Sequence, residues 1–277
     1  MADCIETLGN SIFQHGREND RVYLMKLAPE DSAEVLLRIE ELAEQEGYGK
    51  IFAKVPKSAR EDFLAAGYRE EATIPGFYSG REDVAFMGKY LDPARADEQE
   101  PALVDEVLEK SRAKAAVNAA PPLSDQYALR ALDKDDAEAM AGVFSEVFAT
   151  YPFPIHDPAY LRQTMDENIR YFGVFDGERL IAISSAETYP ADRNAEMTDF
   201  ATLPECRGAG LALNLLEKME EEMGAEDYRT LYTIARAYSF GMNITFAKQG
   251  YEYSGTLTHN TNISGRLESM NIWYKSL

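Results

Sequence analysis

Residues 196–223 read EMTDFATLPECRGAGLALNLLEKMEEEM, and this stretch decides the fold. Residues 197–203 carry the threonine, phenylalanine and leucine of a strand, which Pro204 stops because it has no amide proton to pair. Ala212, Leu215, Leu216, Met219 and Met223 then recur at steps of three and four, the spacing of one helical face, and Gly224 is the expected helix end. Between strand and helix lie Arg207, Gly208, Ala209, Gly210, Leu211 and Ala212. Backbone N–H groups at a helix start have no intrahelical acceptor, and small residues let an anion reach them, so this loop suits a phosphate or pyrophosphate. Arg207 adds a cationic fork beside it. Two glycines after a strand would by themselves describe a tight turn equally well.

Arg207, Gly210 and Ala212 match the spacing of the coenzyme A motif of the GNAT acetyltransferases, which this stretch resembles, and Pro204-Glu205 stands where that family carries a Pro-Glu pair. The resemblance implies an α/β GNAT fold, a mixed and mostly antiparallel central sheet flanked by helices, with acetyl-CoA as co-substrate. It also implies that Phe200, Ala201 and Thr202 hold the pantetheine arm through their backbone, and that a glutamate on the preceding strand removes the proton of the attacking amine. Glu196 stands at that place. Asp199 and Glu187 are the fallback acids. Alternation along a strand would turn Glu196 and Asp199 to opposite faces unless a bulge intervenes.

One family feature is missing. Where many relatives place a tyrosine to protonate the thiolate, this chain has Phe246, ahead of Gly250-Tyr251. Tyr238, Tyr251 or water would have to serve. Asn243 on the same helix is a candidate cofactor contact.

Working outward, the same order of elements occurs twice. Strands near 22–27 and 50–55, helices at 29–46 and after Ser58, and strands near 73–78 and 84–90 repeat the second half of the C-terminal unit. The interval from Gly67 to Tyr90 differs by one residue from that between Gly250 and Tyr274. We read residues 1–91 as a degenerate GNAT-like half domain, 92–126 as a linker with one helix at 103–116, and 127–277 as the acetyltransferase domain. Instead of the glycine loop, the first copy has Ala28, Pro29, Glu30 and Asp31, whose acids would repel phosphate. Its expected role is packing against the catalytic half or closing the acceptor site.

Tyr151-Pro152-Phe153-Pro154-Ile155-His156-Asp157-Pro158 cannot be helical throughout, since each proline disfavours the α conformation in the residue before it. In the GNAT order this loop folds over the acceptor, making Tyr151, Phe153 and His156 pocket candidates.

The composition sets limits. With 277 residues, 45% hydrophobic and 27% charged, the chain has the balance of a globular protein large enough for two cores. No run reaches the length of a membrane span and no signal-peptide pattern opens it, so a cytoplasmic setting is expected. Two cysteines and three scattered histidines offer no disulfide framework and no linear metal-ligand spacing, so no metal is expected. Cys206, within the loop, has no histidine nearby to activate it. The net charge of −20 argues against nucleic acid and is compatible with a cationic substrate.

The full length resembles the β-lysine N-acetyltransferases of that family, which implies a small amine acceptor. Such a site needs a cation for the carboxylate and a desolvated acid near the distal amine, for which Arg236 and Glu187 are candidates. A polyamine, another amino acid, a protein amine, or acyl-CoA sensing without turnover are the alternatives. A dinucleotide site fits less well, because the third glycine is absent.

Overall fold

The computed structural model describes residues 3–115, 120–149, 151, 153–263 and 265–277. In chain order, β1 (Cys4–Leu8), β2 (Ser11–Gly16) and β3 (Arg21–Lys26) are followed by α1 (Ser32–Glu46), β4 (Lys50–Pro56), α2 (Arg60–Ala65), β5 (Arg69–Tyr78) and β6 (Glu82–Tyr90). A connecting helix, α3 (Pro101–Lys114), leads to β7 (Tyr127–Ala131), α4 (Ala137–Val147), α5 (Pro158–Glu167), β8 (Ile169–Asp176), β9 (Arg179–Tyr189) and β10 (Asn194–Thr202). Then come α6 (Leu211–Ala225), β11 (Thr230–Arg236), α7 (Phe240–Lys248), β12 (Glu252–Ile263) and β13 (Arg266–Ser276). Ala116, the expected last residue of the linker helix, and Pro152 of the prolyl loop lie outside the described residues.

The strands form two sheets. The first has the order β5-β6-β4-β3-β2-β1 and the second β12-β13-β11-β10-β9-β8-β7. Read position by position the two orders coincide, with β7 added at one edge of the second. In each sheet one pair is parallel, β3 with β4 and β10 with β11, and the other neighbours are antiparallel. Even the irregularities repeat: the register slips between Glu70 and Ala72 and between Ile74 and Tyr78, and again between Tyr253 and Gly255 and between Leu257 and Thr261. Counted from Gly67 and Gly250, these slips fall at the same offsets.

The repeat therefore reaches further than its sequence signal, taking in β1 and β2. Its register also corrects one correspondence. Tyr90 pairs with Lys50 at the start of β4, whereas Ser276 pairs with Thr230 at the start of β11, so Tyr90 corresponds to Ser276 and not to Tyr274. The near-equal tyrosine spacing arose because the second hairpin is longer.

The packing follows from alternation. On β4, Ile51, Ala53 and Val55 join Val35, Ile39 and Leu42 of α1 in one core, while Phe52 faces the other sheet. Phe52, Ile74, Phe77 and Phe86 pack there with Tyr232, Leu257 and Ile272, so the two sheets share an apolar layer between them. Each large side chain so buried contributes about 1.5–3 kcal/mol. At the seam, β5 meets β12: Ser254 Oγ donates to Thr73 O at 2.6 Å, and a Cβ on Gly255 would stand 2.0 Å from Glu71 O. Gly255 and Ala72 are the corresponding bulge residues of the two copies, and each touches the other.

Two expected helix ends differ. Ser58 sits in a short 3-10 turn before α2 rather than capping it. Gly224 lies inside α6, which runs to Ala225; the left-handed residue after the helix is Asp227, at φ 64°.

Candidate active site

The site grows from a fault in the second sheet. β10 pairs with β9 along most of its length but with β11 only at Asn194, Ala195 and Glu196. Beyond Glu196 the two parallel strands separate, and one edge of residues 197–202 is left without a strand partner. On the β9 side the register breaks between Thr198 and Ala201, where Asp199 adopts φ 53°. A left-handed aspartate in a bulge re-aims its side chain. Strand alternation is thereby cancelled, and Glu196, Thr198 and Asp199 all line one cavity.

That cavity, of about 310 Å³, lies between the two halves of the molecule. Glu187, Glu196, Asp199 and Glu167 contribute carboxyls to it. Glu196 is directly opposite Glu187 across the β9–β10 pair. Burial, with the Glu187 charge adding to it, pushes the Glu196 carboxyl up to about 8. Lys54 and the Tyr232 hydroxyl oppose that rise. Lys54, on β4 of the other half, places its Nζ 3.4 Å from Tyr232 Oη and 5.1 Å from the Tyr189 ring centre. Tyr189 donates its hydroxyl to Glu187. Asp199 is raised by burial too, and accepts hydroxyls from Ser185 and Tyr151. Those two bonds fix its carboxylate, leaving Glu196 as the acid with the freer proton.

The glycine loop opens where β10 ends. A 3-10 turn at Pro204–Cys206 leads to Arg207, whose Nε donates to Thr202 O at 3.2 Å. Gly208 and Gly210 take φ 86° and 76°, and Gly210 is the N-cap of α6 with no side-chain cap. Among the described residues, no N–H from 208 to 212 donates to another protein group. A Cβ on Gly210 would lie 2.6 Å from Pro121 Cγ, so both the backbone and the linker require glycine there.

Tyr151 and Phe153 of the prolyl loop line the cavity together with buried Ile155, whereas His156 is exposed and outside the lining. Arg236 is also outside it, held by Glu268 in a two-pronged ion pair at 2.8 Å for each contact. Asn243 is fully buried and saturated: its amide nitrogen donates to Arg236 O and Ser239 O, and its oxygen accepts from Asn271 and Trp273. It ties α7 to the sheet and has no polar group left for a ligand. Phe246 packs edge-on against Phe200 and Tyr251 in the core. Tyr238 donates to Glu98 at 2.6 Å, and Tyr251 is buried beside Phe246, so neither faces the cavity. The Cys206 thiol is pushed up by burial, which disfavours the thiolate.

The sequence names none of the residues in the wall supplied by the first sheet, although closing the acceptor site is among the roles expected of that half. Gln14, Arg21, Tyr23, Met25 and Phe52 line the same cavity. Arg21, Tyr23 and Met25 alternate on β3, a pattern visible in the sequence, but nothing local shows what that face meets.

The hairpin of β1 and β2 also gathers side chains that no linear spacing reveals. Cys4 and His15 are cross-strand partners, and His15 Nε2 stands 3.2 Å from Cys4 Sγ and 3.1 Å from Glu6 Oε1. These three groups could hold a metal ion, although the sequence shows no metal-ligand spacing among the histidines. The Tyr48 hydroxyl lies 3.0 Å from Nδ1, so both ring nitrogens already have protein partners.

Splayed parallel strands, a bulge beside a buried acid, and a glycine loop opening a helix thus meet at the C-terminal end of β10. The acetyltransferase (GNAT) family profile matches residues 137–251. The chain is 40% identical to the β-lysine N(6)-acetyltransferase of Methanococcus maripaludis over 97% of both chains. It is 31% identical to the enzyme of the same name from Methanosarcina mazei, over 88% of this chain and 97% of the relative. It is 37% identical to the N-acetyltransferase YodP of Bacillus subtilis, over 80% and 78% respectively. The chain belongs to the GNAT family and is an N-acetyltransferase. No helix among the described residues is long and apolar enough to cross a membrane.

Proposed function

We propose that this enzyme transfers the acetyl group of acetyl-CoA to the N6 amine of β-lysine, a step in making a compatible solute. The observation that carries the reading is Glu196, a buried acid poised near neutrality at the point where β10 leaves β11, in a cavity lined by three further carboxyls. A diamine fits that wall by charge. Similarity to two β-lysine acetyltransferases along nearly the whole chain supports the acceptor.

In this reading the pantetheine arm lies along the open edge of residues 200–202, and the pyrophosphate rests on the free N–H groups of 208–212. An alkylammonium has a pKa of about 10.4, so a base must take its proton. Glu196 does so, directly or through one water. The neutral amine attacks the thioester carbonyl, the C–N bond forms, the C–S bond breaks, and the second N–H proton, released as the amide forms, passes through water to the departing coenzyme A thiolate. Asp199 and Tyr151 hold the bulge and the loop over the acceptor. We further assign residues 1–91 as the degenerate copy, 92–126 as the linker and 127–277 as the catalytic domain, in a cytoplasmic setting and with no metal in the reaction.

The test is thiol release from acetyl-CoA with β-lysine, α-lysine, spermidine or no amine. Release that depends on β-lysine supports the reading. Binding of acetyl-CoA without release for any amine contradicts it and favours a sensor.

A further inference from the structure

Among the cavity-lining residues, Arg21 is the one lysine or arginine, and it comes from β3 of the copy that has no glycine loop. It is 7% exposed. Nη1 donates to Asn260 O and, at 3.2 Å, to Thr261 Oγ1, both on the cavity wall, and the guanidinium lies 5.1 Å from the Tyr23 ring centre. Nε is buried without a partner.

Among the described residues no carboxylate comes within ion-pairing distance of Arg21, nor of Lys54, which reaches the Tyr232 hydroxyl instead, whereas two other buried cations have one. Lys50 reaches Glu71 at 2.8 Å and Arg95 reaches Asp20 at 3.2 Å. An unpaired guanidinium taken out of water is costly, and a fork of N–H groups is the natural receptor for a carboxylate. The acids Glu187, Glu196 and Asp199 stand on the β9–β10 wall and Arg21 on the β3 wall, so the cavity carries a cation on one sheet and acids on the other.

We infer that Arg21 binds the carboxylate of an amino-acid acceptor, making the degenerate copy the source of acceptor specificity while the other copy performs the chemistry. This rests on the proposed β-lysine reading and extends it to the residue that separates an amino acid from a plain diamine. Held at Arg21, the substrate presents its distal amine to the acids.

The test uses full-length enzyme with β-lysine and with pentane-1,4-diamine, the same molecule without its carboxylate. Wild type should prefer β-lysine in kcat/KM. Arg21→Met should raise KM for β-lysine about 10- to 100-fold, the loss of a charge-assisted hydrogen-bonded pair. KM for acetyl-CoA and turnover of the diamine should be unchanged. Arg21→Lys, which keeps the charge without the fork, should fall between, and gives the answer if the methionine variant does not fold. If β-lysine is turned over and its preference survives both substitutions, the Arg21 assignment falls and the functional reading stands. If wild type acetylates the diamine but not β-lysine, both fall.

Discussion

The two copies of the fold have the same strand order, the same parallel pair and the same bulges in their closing hairpins, yet they differ at the place where chemistry would be done. Tyr23 occupies in β3 the position that Glu196 occupies in β10, each in the third pair of the parallel ladder. From Tyr23 to the start of α1 is a short connection, with a 3-10 turn at Pro29–Asp31 instead of a glycine loop. There, Asp31 accepts from Asn10 N at 2.7 Å and Ser11 Oγ at 3.0 Å, so a carboxylate stands at the head of α1, tied to the turn between β1 and β2. The first sheet thus has neither a glycine loop nor an acid at these positions, keeps its hydrophobic layers, and lines the cavity with one face.

Substitutions at corresponding positions test that division. Glu196→Gln should lower kcat on the order of 10²- to 10⁴-fold, the usual contribution of a positioned base, with acetyl-CoA affinity retained by calorimetry. Its counterpart Tyr23→Phe should leave kcat largely unchanged; a comparable loss there would erase the distinction. At the seam, Gly255→Ala drives a methyl into Glu71 O and should cost about 3 kcal/mol. The corresponding Ala72→Gly should cost roughly 0.5–1 kcal/mol. Thermal unfolding of both variants reads the asymmetry directly. Gly210→Ala, strained at its positive φ and against Pro121, should raise KM for acetyl-CoA, whereas Pro29→Ala at the first copy's turn should not. The smallest effect belongs to Lys54→Met. Removing the cation that opposes the rise of Glu196 should move the base's titration upward and lower the rate at neutral pH.

Much of this was legible in the sequence because it is local. The strand, Pro204, the glycines and the 3.6-residue periodicity of residues 211–223 each act within a few residues, and the loop and helix stand where they were expected. The bulge at Asp199 was conditional: alternation separated it from Glu196, and only a φ of 53° in the folded chain brings both acids to one cavity. Arg236 was chosen for its charge and strand, but Glu268 across the β11–β13 pair neutralises it. Arg21 was out of reach, since its meaning depends on β3 facing Asn260 and Thr261 more than two hundred residues away. Contacts between copies carry no signature in either copy alone.

The most direct test of Glu196 as the base is the pH dependence of kcat/KM for β-lysine. A buried acid with its pKa raised is inactive while protonated, so the rate should climb with pH through an inflection near 8, and Glu196→Gln should abolish that limb. An inflection near 8 that survives in Glu196→Gln would show that the proton is taken elsewhere and contradict the account.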